Sequence, residues 1–121
     1  MSDKGSRRGK WTIWRNSWED YNISRNRLEE LKAFCRQYNE KRSKIRTVHN
    51  DSEKYRKDLE IIEQAAIKTN PEIWQYILKS VANNMTYEQI EYDKELGRIP
   101  VSRTMFYGYR RKFFYELHKM R

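Results

Sequence analysis

Signals that begin a helix recur along this chain, and no segment alternates with the two-residue period of a strand. A residue able to cap a helix precedes each stretch of apolar residues spaced three or four apart. The clearest signal is Thr86 with Gln89, a capping box flanked by Met85 and Ile90 as a hydrophobic staple. Only four glycines and two prolines punctuate the 121 residues. The pattern predicts one all-α domain of about five helices.

The caps and apolar stripes also predict where each helix lies. The ranges are Ser24 to about Ser43, Asp51 or Ser52 to about Lys68, Asn70 to about Asn83, Thr86 to about Leu96, and Ser102 onward. Asn70 and Pro71 are expected as the cap and first-turn proline of the third helix. Gly97 is expected just beyond the fourth helix, because glycine readily adopts the left-handed conformation found there. Residues 45–51 are predicted to form a loop.

The first 22 residues are expected to form a basic, tryptophan-rich arm ahead of a domain spanning 23–121. The arm has an aromatic face at helical spacing, formed by Trp11, Trp14, Trp18 and Tyr21. This face either packs on the chain's own helices, or serves as a partner interface, or stacks on unpaired bases. The basic residues before it are Arg7, Arg8 and Lys10. They belong either to a disordered terminus or to an arm that reaches a phosphate backbone or minor groove.

Net charge favours an acidic partner such as a nucleic acid. The chain carries +9, and residues 101–121 hold six Lys or Arg against one acidic residue. Residues 69–100 are slightly acidic, with three cations and five carboxylates. The most one-sided charge therefore lies on the last predicted helix. A plainer explanation is that cations near a helix C-terminus are favoured by the helix dipole alone.

A short helix, a glycine-containing turn and a longer basic helix make up a helix-turn-helix, here predicted over about 85–121. Helical projection puts Phe106, Tyr109, Phe113, Leu117 and Met120 on the core stripe. The outward residues would be Thr104, Tyr107, Gly108, Arg111, Lys112 and Lys119. Base or groove contacts are predicted for Ser102, Arg103, Thr104, Tyr107 and Arg111, all on the groove-facing part of that helix. Phosphate contacts are predicted for Arg110, Lys112, Arg7, Arg8 and Lys10, and an anion is expected near Thr86.

Two segments resemble small proteins of phages and integrative elements of Gram-positive bacteria. They are "ISRNRLEELKAFCRQY" (23–38) and "RTMFYGYRRKFFYELHKMR" (103–121), and "NPEIWQYILKSVANNMTYEQI" (70–90) matches more loosely. The stretch "CRQYNEKRSK" departs from the continuation found in that family. The resemblance implies a C-terminal helix-turn-helix similar to that of phage late-gene transcription activators. It also implies a cytoplasmic location in a bacterial host cell.

No motif for catalysis, for a metal or for a cofactor is apparent, so we expect the protein not to be an enzyme. The two histidines, His49 and His118, lack partners at ligand spacing, and Cys35 lies on an apolar stripe, where a small core residue is expected. A single cysteine rules out an intramolecular disulfide and fits a reducing cytosol. No apolar run is long enough to span a membrane, and the first ten residues lack the apolar core of a signal peptide.

These observations lead to one main hypothesis and two rivals. The main hypothesis is a phage-derived protein that binds double-stranded DNA sequence-specifically and regulates transcription, either as a monomer or as a homodimer. Its host partner would be a protein such as RNA polymerase or a nuclease. The first rival is an anti-defence inhibitor of the anti-CRISPR type that binds a nuclease or its guide RNA. The second is a terminase small subunit.

Overall fold

The computed structural model describes residues 17–47 and 52–121. Within those ranges every regular element is an α-helix, so the predicted all-α class is confirmed. The helices are α1 (Trp18–Tyr21), α2 (Arg25–Arg36), α3 (Tyr38–Thr47), α4 (Ser52–Thr69), α5 (Trp74–Asn83), α6 (Tyr87–Asp93) and α7 (Arg103–Met120). In this described part, no helix is long and apolar enough to cross a membrane.

The two longest helices, α4 and α7, form the centre of the molecule. They pack along each other more extensively than any other pair, and α3 covers another side of α4. The core between the helices is made of fully buried apolar side chains, chiefly Ile62, Ala65, Ala66, Ile77, Phe106, Phe113, Phe114 and Leu117. Burial of the isoleucine, leucine and phenylalanine side chains in this set stabilises the fold by roughly 1.5–3 kcal/mol each. This core fixes the position of α7, the helix on which the functional hypothesis depends.

Local capping signals were predicted correctly where the hydrogen bond involves neighbouring residues. The hydroxyl of Ser24 accepts from the backbone N–H of Arg27 at 3.1 Å, and that of Ser102 accepts from Met105 at 3.2 Å. The capping box of Thr86 and Gln89 is present in both directions. Three helices therefore begin where the sequence predicts.

The predicted first helix is wrong in its length, because it is divided at Gln37. The N–H of Gln37 bonds back three residues to Phe34 at 3.3 Å, which tightens the last turn of α2. Tyr38 then begins α3 and is buried, with its hydroxyl donating to Glu63 of α4 at 2.5 Å. This distant contact redirects the chain, and no local signal marks it. Helix α3 runs on to Thr47, where a loop had been predicted from residue 45, and residues 48–51 lie outside the described ranges.

Two further predicted helix ends are wrong. Asn70 caps a turn through its side chain, which accepts from the N–H of Glu72 at 2.9 Å, and the α-helix begins only at Trp74. The fourth helix ends at Asp93, and Lys94 takes the left-handed conformation directly beyond it. Gly97 also has the expected positive φ, 85°, but it lies three residues further on than the prediction placed it relative to the helix end. Lys79 of α5 forms ion pairs with carboxylates on both sides of this turn, Asp93 and Glu95. That tertiary contact holds a non-glycine residue in a backbone region it rarely adopts.

Candidate nucleic-acid interface

The first turn of α7 is exposed and polar. Ser102 caps it, and Arg103 and Thr104 are exposed on its surface. The Arg103 side chain is 65% exposed, and its Nε lies 2.8 Å from a carboxylate oxygen of Glu88. Its guanidinium also lies 5.1 Å from the centre of the Tyr107 ring. Three of the predicted groove residues are therefore available to a large partner at one end of the helix.

Most of the helix beyond that turn faces other helices, which corrects part of the predicted outward face. Tyr107 is half-buried, and its hydroxyl accepts from the backbone N–H of Tyr87 at 3.0 Å. Gly108, also predicted to face outward, is buried. The prediction failed because several helices pack around α7, so one apolar stripe does not describe its contacts. Met120, predicted as core, is 38% exposed on the last turn of the helix.

Arg110, a predicted phosphate contact, is anchored inside the protein. Its Nε donates to the hydroxyl of Ser80 at 3.0 Å, and its guanidinium lies 5.3 Å from the centre of the Phe114 ring. It forms no ion pair with another residue in the described ranges, and burial lowers the pKa of its guanidinium. Its Nε is therefore already engaged by a partner within the protein.

The cations in the rest of α7 are also largely engaged within the protein. Lys119 lies 3.2 Å from a carboxylate oxygen of Glu116, which is buried and lies 3.7 Å from Lys68 as well. The guanidinium of Arg121 sits 3.9 Å from the centre of the Phe34 ring. Arg111 and Lys112 are half-buried. The one-sided charge of the last segment is therefore only partly offered to solvent.

The connection between α6 and α7 is longer than a typical helix-turn-helix turn. It spans residues 94–102, whereas the motif usually has a turn of about 3–4 residues. Tyr87 ties the two helices together: its hydroxyl donates to the carbonyl of Val101 at 2.7 Å, and its ring lies 5.6 Å from Phe106. The Thr86 side chain is exposed at the start of α6 and is engaged in the capping box. Helix α6 thus supports the beginning of α7 through its own first residue.

The described part of the tryptophan face packs against α7. The ring of Trp18 lies 6.0 Å from Phe114, and Tyr21 lies 5.0 Å from Tyr115. These contacts correspond to the first alternative left open by the sequence, packing on the chain's own helices. The remaining members of that face and of the basic arm lie outside the described residues, namely Trp11, Trp14, Arg7, Arg8 and Lys10.

Two residues considered for catalysis, Cys35 and His118, make contacts within the fold. Cys35 is fully buried, and this burial raises the pKa of its thiol to about 12 despite nearby arginines. His118 accepts a hydrogen bond at Nδ1 from Nε of Arg27, 3.0 Å away. His49 lies outside the described ranges, within which no group of three His, Cys, Asp or Glu is placed to hold a metal ion.

Sequence reasoning missed a second set of cations, on α3 and the beginning of α4. Residues 24–68 contain twelve cations and eight carboxylates, so the segment as a whole does not stand out. In the structure, however, two of those carboxylates bind cations within the hairpin: Asp58 lies 2.9 Å from Lys41, and Glu40 lies 3.0 Å from Lys44. Charge counted in shorter windows would have revealed that α3 alone holds four cations and one carboxylate.

Comparison with known proteins gives no match. No family model fits the sequence, and neither a curated protein nor a solved structure is significantly similar to it. The function of this protein is therefore inferred from its residues and their geometry alone.

Proposed function

We propose that this protein binds double-stranded DNA sequence-specifically and regulates transcription, with the first turn of α7 reading the major groove. The supporting observation is that Arg103 and Thr104 are exposed on the first turn of a helix whose later turns are held in the core. An arginine fork suits the two acceptors of guanine in the major groove, and threonine can bond to several bases. The free N–H groups of the same turn favour a nearby phosphate.

The energetics of Arg103 are compatible with this role. Its ion pair with Glu88 is solvent-exposed on both sides, at 65% and 58%, so it stabilises the protein by at most about 1 kcal/mol. A bidentate contact to the correct base contributes roughly 1–3 kcal/mol of discrimination. A correct guanine contact therefore provides at least as much discrimination as the ion pair with Glu88 contributes to stability.

Rigidity of the helix further supports the proposal. Phe106 and Phe113 are fully buried, so α7 is anchored within one turn of Arg103 and again two turns later. Residues that read bases need such a support, because a misplaced donor loses its hydrogen bond. Since the connection to α6 is long, we assign groove reading to α7 alone and a supporting role to α6.

The test is selection of binding sites from random duplex DNA at about 150 mM salt, where nonspecific phosphate contacts are weakened. We expect an enriched motif in which Arg103→Ala relaxes the preference at one position. Arg25→Ala is the matched control, since Arg25 is also exposed on the first turn of a helix and the charge change is identical. The control should leave the motif unchanged. A wild-type protein that enriches no motif would contradict the proposal and redirect attention to protein partners such as a nuclease.

A further inference from the structure

The hairpin of α3 and α4 presents a group of exposed cations. They are Arg42 and Arg46 on α3, and Lys54, Arg56 and Lys57 on α4. None of these cations forms an ion pair with another residue of the described ranges, in contrast to Lys41 and Lys44 of the same hairpin. The long side chains therefore remain available to a partner.

Most of these cations lie toward the loop end of the hairpin. The pairing of Lys41 with Asp58, and the position of Lys44 5.8 Å from the Tyr55 ring, show that the two helices run antiparallel. Arg46 and the segment 54–57 consequently flank the connection 48–51. Glu53 is the one acidic residue within these flanking turns, and Asp51 precedes it in the sequence. The loop end therefore has a net positive charge.

The loop end of the hairpin lies at the same end of the molecule as the first turn of α7. Near one end of the core, Lys68 of α4 is 3.7 Å from Glu116 of α7. Six residues earlier on α7, Arg110 bonds to Ser80. The end of α5 that contains Ser80 is level with Glu63 of α4, because Asn83 bonds to Asn39 while the adjacent Tyr38 bonds to Glu63.

These contacts show that α4 and α7 run in the same direction. Residues near 110 on α7 are level with residues in the low sixties on α4, and residue 116 is level with residue 68. Extrapolated backward along both helices, the segment 54–57 of α4 is level with the first turn of α7. The exposed cations and the proposed reading turn thus share one end of the bundle.

We infer that the loop end of the α3–α4 hairpin binds the phosphate backbone of the duplex beside the groove that α7 enters. The inference rests on the proposed function for its choice of partner. Lysine and arginine contacts to phosphates position a protein on DNA without reading sequence. They also release counterions, so each phosphate contact adds about 0.9 to the slope of log affinity against log salt. The cations of α7 whose heads contact other groups of the protein would contribute little to that slope.

The test compares two double substitutions that remove the same charge. Lys54→Gln with Lys57→Gln changes two exposed cations on one face of α4, and Arg25→Gln with Arg36→Gln changes two exposed cations on α2. Affinity for the selected duplex is measured by fluorescence anisotropy between about 100 and 300 mM salt. We expect the α4 variant to lower the salt slope by about 2 and to keep the same motif. The α2 variant should retain the wild-type slope.

Each outcome separates the inference from the proposed function. An unchanged slope in the α4 variant, or an equal loss in the α2 variant, would overturn the inference while an enriched motif still supports DNA reading by α7. A third outcome is that the wild type binds duplex without enriching any motif, and only the α4 variant has a lower salt slope. That outcome would contradict base reading by α7 and would support phosphate binding by the hairpin. Absence of any duplex binding by the wild type would overturn both.

Discussion

Two regions of this molecule are rich in cations, α7 with Arg121 and the loop end of the α3–α4 hairpin, and they use their charge differently. On α7, Arg110 is anchored on Ser80, Lys119 pairs with the buried Glu116, and Arg121 lies over Phe34. On the hairpin, Lys41 and Lys44 pair with carboxylates, and the remaining cations are exposed and form no ion pair within the described ranges. A count of charges along a sequence therefore does not measure the charge that is accessible to a partner.

The physical reason lies in the position of each helix. Helix α7 is central, so charged heads on it find partners within the protein, including the aromatic rings of Phe114 under Arg110 and of Tyr115 under Lys119. At the loop end of the hairpin, the side chains of Arg42, Arg46, Lys54, Arg56 and Lys57 point away from the core and are exposed. Three substitution experiments test this difference, and their expected effects on stability decrease in order.

Removal of an aromatic ring from α7 should have the largest effect on stability. Phe114 is fully buried and has Trp18, Phe113 and Arg110 around its ring. We expect Phe114→Ala to lower the free energy of unfolding by about 3–5 kcal/mol, as measured by urea titration. Lys57→Ala on the exposed side of the hairpin should change it by no more than about 0.5 kcal/mol. A small effect at Phe114 would contradict the central position of α7.

Two arginines allow the comparison to be made with identical chemistry. Arg110→Ala removes a charge-assisted hydrogen bond to Ser80 and the packing over Phe114, so we expect a loss of about 1.5–3 kcal/mol in stability. Arg56→Ala on the hairpin removes an exposed side chain and should cost about 0.5 kcal/mol or less. Equal losses in thermal or urea unfolding would show that the two regions do not differ in the way described.

The smallest effect concerns the contact that holds the base of the hairpin. Burial and the hydrogen bond to Glu63 raise the pKa of Tyr38 to about 12. An unfolded tyrosine loses its proton near pH 10. Between those values the folded protein binds more protons than the unfolded chain, so stability falls as the pH rises through this window.

Tyr38→Phe removes that contribution. At neutral pH it should cost about 0.5–1.5 kcal/mol for the lost hydrogen bond, and above pH 10 its stability should decline less steeply than that of the wild type. Tyr92→Phe is the control, because Tyr92 is 86% exposed and should follow the wild-type curve. Parallel curves for Tyr38→Phe and the wild type would contradict the role assigned to this contact. The measurement is chemical unfolding at a series of alkaline pH values.

Features that depend on near neighbours in the chain follow from the sequence alone. Ser24, Thr86 and Ser102 cap helices because each side chain accepts a hydrogen bond from an N–H three residues ahead, and such a bond needs no distant partner. The helical class follows from the same local signals. The residue at which α7 begins is also a consequence of its cap, since Ser102 is a cap that the sequence identifies.

Tertiary contacts decided everything that depends on residues far apart in the chain. Tyr38 turns toward Glu63 and divides a predicted helix, Lys79 holds the left-handed Lys94 through two carboxylates, and Ser80 anchors Arg110. Which cations stay exposed is set in the same way, because a charge near the core can pair or stack only when another helix brings it a partner. The sequence specifies how many charges there are, and the packing of the helices decides which of them face solvent.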